Sequence, residues 1–183
     1  MKTLIFNGSP RKNGDTKNLL DLLIQKLDGE YRINDAYCSD IKPCMDCRWC
    51  WRNSGCCMKD DMQEIYQYIQ ECDNIVIASP IYFAELTGEL LSLASRLQTY
   101  FSVKFMRKEI PVEKAKKGAV ILVGGGEGTI ERPYHTACTL LDLMNAKEVH
   151  PVVYSLNTDH NPAVSNPKAV QGIDSIAEFF MSK

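Results

Sequence analysis

Net charge is nearly absent from this chain: 21 lysines and arginines against 23 aspartates and glutamates leave −2 at pH 7. Such a balance projects no field that would gather nucleic acid or an anionic membrane surface. No apolar run approaches the length of a membrane-spanning helix. The N-terminus shows no signal-peptide pattern either, since Met1-Lys2 runs directly into an expected apolar strand, and no secretory leader is expected. The expectation is a cytoplasmic protein with neither a nucleic-acid nor a membrane partner. Histidine is scarce: His135, His150 and His160 stand far apart, with no serine or cysteine nucleophile context, and compose no catalytic site. No linker, repeat or low-complexity segment interrupts the 183 residues, which fit one domain with a substantial core. Two phosphate signatures are also lacking. Gly8 is followed by Gly14-Asp15-Thr16 where a P-loop needs Gly-Lys-Ser/Thr, and the spaced triple-glycine dinucleotide fingerprint does not occur.

What is present starts with a different phosphate seat. Leu4, Ile5 and Phe6 form a short apolar run suited to the interior of a parallel sheet. The run leads into Asn7-Gly8-Ser9-Pro10-Arg11-Lys12-Asn13-Gly14-Asp15-Thr16, and an amphipathic helix follows with Leu19, Leu20, Leu22, Leu23 and Leu27 on its apolar side. Free backbone N–H groups at a helix N-terminus, hydroxyls on Ser9 and Thr16 and the guanidinium of Arg11 can converge on one anion.

Strand and helix patterns alternate along the rest of the chain. Strands are expected at 31–38, 74–78, 117–123 and 149–154; helices are expected at 60–72, 87–106, 134–145 and 167–181. Five strands alternating with helices predict a doubly wound α/β fold: a five-stranded parallel sheet in the order 2-1-3-4-5, sandwiched between helical layers. In that order strands 1, 3 and 4 lie side by side, and their carboxyl ends carry the unusual chemistry. Beside the phosphate loop stands Pro80-Ile81-Tyr82-Phe83, apolar and aromatic. Next to it is the run Gly124-Gly125-Gly126, where backbone can approach a flat ligand closely. A phosphate and a planar heteroaromatic across adjacent loops describe a flavin mononucleotide, FMN.

Eight cysteines in a chain expected in the cytosol point to metal or redox chemistry before structural disulfides. Cys44, Cys47, Cys50 and Cys56 crowd a loop insertion at about 42–59. Four such thiolates suit a [4Fe–4S] cluster or zinc, and free or reversibly oxidised thiols are the third reading. Cys38, Cys72 and Cys138 fall in or beside regular elements and read as small buried apolar residues.

Taken together, the chain resembles the NADPH-dependent FMN reductase and iron–sulfur flavoprotein group of the flavodoxin-like fold. Asn7 to Arg11 with Gly14 and Thr16 is similar to that group's phosphate loop. Ser79 to Phe83 with Thr87-Gly88 is similar to its isoalloxazine loop, and Asp60-Asp61-Met62 also matches. The resemblance implies non-covalent FMN; with NAD(P)H as the expected electron donor, hydride chemistry belongs to the flavin and no side-chain acid or base is assigned. It also implies Cys44, Cys47, Cys50 and Cys56 as ligands; Cys56 is preferred to Cys57 because it stands four residues before Asp60-Asp61. Asp15 departs from the group, which has Asn there. A carboxylate beside a phosphate must turn away, for instance to cap the helix. The resulting expectation is an oxidoreductase passing electrons to a small acceptor such as a quinone or a free flavin. The alternatives are an FMN/[4Fe–4S] carrier between redox protein partners and a flavin-free regulatory protein of the same fold. Exposed aromatic groups in the 82–83 and 49–51 segments further predict a homodimer or homotetramer.

Overall fold

The computed structural model describes residues 1–182. Its strands and helices, in chain order, are β1 (Lys2–Asn7), α1 (Asp15–Ile24), β2 (Glu30–Asp35), α2 (Met62–Glu71), β3 (Asn74–Pro80), α3 (Gly88–Ala94), α4 (Gln98–Phe105), β4 (Lys116–Val123), α5 (Glu131–Leu143), β5 (Ala146–Val149), β6 (Val153–Ser155) and α6 (Pro167–Met181). The sheet is parallel throughout, ordered β2-β1-β3-β4-β5, with β6 also paired to β4. This is the flavodoxin-like order, with its switch point between β1 and β3.

Strand periodicity builds the three layers. Alternate side chains of a strand face opposite sides of a sheet. Leu4 and Phe6 of β1 therefore join Ile75, Ile77, Val120 and Leu122 against α2, α3, α4 and α5. Ile5 joins Val76, Ala78, Ala119 and Ile121 against α1 and α6. The second core is closed by Leu19, Leu20 and Leu23 from α1 and by Ile173, Ile176 and Phe180 from α6.

Three elements differ from the sequence expectation, each for a local reason. The fifth strand is split into β5 and β6. Gly118 of β4 stands opposite Val149, whereas Ile121 stands opposite Val153. Residues 150–152 thus face only 119–120, a bulge centred on Pro151, which has no N–H for the ladder. The helix expected over 87–106 is broken by a 3₁₀ turn at Ser95–Leu97. There the Ser95 hydroxyl donates to the Ser92 carbonyl at 2.6 Å and accepts from the Cys44 N–H at 2.9 Å, competing with regular helical pairing. Finally, β2 ends at Asp35 in a turn closed by Cys38 N–H to the Asp35 carbonyl, 3.0 Å. Cys38 is consequently exposed instead of buried, Cys138 is half-buried, and Cys72 alone of the three is a core residue.

Candidate functional site

The carboxyl ends of β1, β3, β4 and β6 open into one cleft of about 300 Å³. Its first wall is the loop after β1. Asn7 is buried and sets that loop, accepting from the Ser9 N–H at 3.1 Å and donating to Asp35 across the strand pair at 2.5 Å. The N-terminus of α1 follows at Asp15, and Gly14, its capping residue, offers no side chain to the first-turn N–H groups. Those donors point outward with the partial positive charge of the helix dipole. Ser9, Arg11, Gly14, Asp15 and Thr16 all line the cleft, as does Pro10; Lys12 is exposed outside it.

Asp15 is accommodated by turning away. Its carboxylate accepts from the Ala163 N–H at 2.7 Å, a residue at the far end of the chain. It does not cap α1; it leaves the anion seat to the helix N–H groups and ties the loop to the segment before α6.

The second wall is the loop after β3. Pro80, Ile81 and Tyr82 line the cleft, with the Ile81 N–H bonded to the Val123 carbonyl at 2.8 Å. Tyr82 and Glu85 close a tight turn by reciprocal backbone hydrogen bonds of 2.9 and 3.0 Å. Phe83 and Ala84, at its tip, both have positive φ (53° and 58°). Such a conformation strains residues with a Cβ. It also lifts the Phe83 ring out of the cleft to full (100%) exposure.

Behind this wall the first two loops are locked together. Thr87 Oγ1 donates to the Gly8 carbonyl at 2.8 Å, and its N–H reaches Ser79 Oγ at 3.2 Å. A Cβ on Gly8 would meet Leu90, Ser79 and Thr87 side-chain atoms, each at 2.9 Å. Overpacking of this kind costs about 1–3 kcal/mol. Gly8→Ala is therefore expected to lower Tm, by about 2–4 °C per kcal/mol at this chain length. An unchanged thermal melt would show that the contact is loose.

The third wall is the glycine run after β4. Gly125 lines the cleft; Gly124, which is buried, and Gly126, which is exposed, are not part of its lining. The run is laced to residues 157–159 by backbone bonds from Asn157, Thr158 and Asp159 N–H groups to the carbonyls of Gly126, Gly124 and Gly125, at 3.1–3.2 Å. Thr158 and Asp159 thereby enter the cleft, together with Val123. The sequence reading missed these two residues. Their signal was their place just beyond the carboxyl end of the last strand, where ligands of open α/β sheets bind.

A second cavity lies in the long connection between β2 and α2. It is lined by Cys44, Cys47, Cys50, Cys56 and Cys57, with Trp49, Trp51 and Arg96. Among the described residues no three His, Cys, Asp or Glu side chains meet at the spacing of a single metal ion. The five thiols line one small cavity of about 20 Å³, all of them free.

Four of the five thiols have contacts of their own. Cys50 Sγ contacts Ser102 Oγ at 3.3 Å, and Cys56 Sγ accepts from Arg96 Nη2 at 3.4 Å. Cys47 and Cys57 sulfurs lie 3.5 Å apart. The Trp49 backbone N–H and the Cys57 thiol draw the Cys47 pKa below its ordinary value, and the same contact pushes Cys57 upward. Arg96 pairs with Asp60 at 2.5 Å. Burial works to raise the Asp60 carboxyl, but the guanidinium outweighs it and holds the pKa below the ordinary range.

Residues 1–161 match the family described as NADPH-dependent FMN reductase. The chain belongs to this family. It is an FMN-dependent oxidoreductase by that membership, and the cleft fits the cofactor: the bare N-terminus of α1 suits its phosphate, and Pro80, Ile81 and Tyr82 offer apolar surface to its ring. Among family relatives, an iron-sulfur flavoprotein from Archaeoglobus fulgidus is 28% identical, covering 100% of this chain and 82% of its own length. Another from Methanosarcina thermophila is 25% identical, covering 97% and 92%. An NAD(P)H:quinone oxidoreductase from Methanothermobacter marburgensis has the same fold, with a TM-score of 0.75 at 14% identity over 100% of this chain and 97% of that one. An FMN-dependent NADH-azoreductase from Bacillus anthracis, solved with FMN, aligns with a TM-score of 0.65 at 15% identity, covering both chains fully. No helix of the reductase is long and apolar enough to cross a membrane among the described residues.

Proposed function

We propose that this reductase seats the FMN phosphate on Ser9, Arg11, Gly14 and Thr16 and the Asp15 backbone, with Lys12 adding charge from outside. The ring would lie against Pro80, Ile81 and Tyr82 with its edge toward Gly124–Gly126, and electrons would pass from NAD(P)H to a small acceptor of the quinone or flavin class. The observation that carries this reading is the uncapped N-terminus of α1 opening beside an apolar wall. FMN, when bound, supplies hydride acceptance and electron release; the side chains orient it and shape its electrostatics. Asp15, Tyr82 and Asp159 are titratable groups of the cleft lining; because the hydride chemistry belongs to the flavin, none is assigned as a general acid or base. Anaerobic protein titrated with NADH and then NADPH should lose its flavin absorbance with at least one donor and regain it on adding a quinone. An FMN-loaded preparation that neither donor bleaches would sink the assignment.

A second reading adds a [4Fe–4S] cluster on Cys44, Cys47, Cys50 and Cys56 and a redox protein as partner. The single cavity that gathers these four thiols supports it, and relatives named iron-sulfur flavoproteins support it further. Free thiols on this scale also accord with a reducing, cytoplasmic compartment. The assembly we favour is a homodimer or homotetramer, because Phe83, Trp49 and Met45 are large apolar groups left open to solvent. Sedimentation of the FMN-loaded protein at micromolar concentration should show an oligomer; a monomer there rules this part out.

A further inference from the structure

Arg96 is the most buried cation among the described residues, with 1% of its surface exposed, and it sits in the 3₁₀ break between α3 and α4. Nη1 donates to the Asp60 carboxylate at 2.5 Å and to the Lys42 carbonyl at 3.0 Å, and Nη2 donates to Cys56 Sγ at 3.4 Å. Nε is buried without a partner. A buried guanidinium needs a partner for every donor, and here the donors that are used go to Asp60 and to both ends of the cysteine segment. The neighbouring Ser95 adds the anchor at the Cys44 N–H.

We propose that Arg96 is a positioning residue for the cysteine centre: it holds Cys56, in preference to Cys57, as the fourth ligand and raises the reduction potential of the group bound there. The inference rests on the reading of the four thiols as a cluster site. Reduction adds one electron to such a centre and makes or breaks no bond, so the reduced state carries one more negative charge. An N–H···S hydrogen bond and a fixed positive charge at the ligand favour that state. Asp60 opposes the effect from the other side of the guanidinium. A strut that only tied the loop down would change the stability of the fold and leave the potential where it was.

The experiment uses the full chain, FMN-loaded and purified without oxygen, with iron and sulfide counted first. The centre is then titrated with dithionite and mediators, read by electron paramagnetic resonance, in wild type, Arg96→Gln, Arg96→Lys and Asp60→Asn. For Arg96→Gln the reduced-to-oxidised ratio at the wild-type midpoint should fall at least tenfold, a negative shift of about 59 mV for one electron. Arg96→Lys keeps the charge without the planar fork and should fall between the two. Asp60→Asn removes the opposing charge and should move the midpoint in the positive direction. If Arg96→Gln does not fold, the sign for Asp60→Asn decides alone. Iron-bearing variants that all keep the wild-type midpoint overturn the role of Arg96 and leave the cluster reading intact. Iron-free wild type overturns both.

Discussion

Arg11→Ala should weaken FMN binding by one to two orders of magnitude and leave riboflavin binding almost unchanged. The two ligands differ by the phosphate, and Arg11 lines the cleft beside the uncapped N-terminus of α1. A hydrogen bond to a charged group is worth about 1.5–3 kcal/mol, and each 1.4 kcal/mol is about tenfold in affinity. One or two such bonds lost therefore give the expected range, and the backbone N–H groups keep the remainder. The Asp15 carboxylate, held by the Ala163 N–H, does not oppose the anion from within the seat. Isothermal titration of the apoprotein with both flavins reads the effect directly. Equal affinities of the wild type for FMN and riboflavin would remove the phosphate seat from the account.

With the proposed cluster in place, Cys56→Ser should abolish or degrade the brown chromophore of anaerobically purified protein, whereas Cys57→Ser should leave it; iron-free wild type removes the cluster from the account. Neighbouring side chains in an extended segment point to opposite sides, which by itself argues that only one of the two serves. In the folded chain both sulfurs reach the wall of the same cavity, so their difference lies in their partners. Cys56 is held by the Arg96 guanidinium at 3.4 Å; Cys57 leans on Cys47 at 3.5 Å with its pKa raised by that contact. The guanidinium N–H fixes the Cys56 sulfur in place, whereas the Cys57 sulfur is engaged by another thiol. FMN content should survive both changes, because the flavin cleft is lined by other segments. Bleaching by Cys57→Ser alone would reverse the assignment of the fourth ligand.

Much of the frame was legible because it depends on neighbours along the chain. The alternation of Leu4, Ile5 and Phe6 places β1 in the middle of the sheet with both faces buried. The last helix runs over 167–181 as its pattern predicts, with Asn166 capping its first turn and Pro167 opening it. Seating of the phosphate loop and the Pro80 loop at adjacent strand ends followed from right-handed crossovers. Cys38 was misplaced because the apolar content of 31–38 outlasts the strand, which a turn ends at Asp35.

By itself, then, the sequence determined the three-layer fold, the strand order, the phosphate loop at the start of α1 and the confinement of five cysteines to one connection. These rest on periodicity, turn chemistry and chirality, all of which act over a few residues or one crossover. Only the tertiary structure decided that Asp15 turns to Ala163, that Thr158 and Asp159 complete the cleft, that Phe83 points to solvent, and that Arg96 lies beneath Cys56. Each of those depends on how separate elements pack, and burial makes them matter: a polar group or charge removed from water must find its partner wherever the fold has carried it.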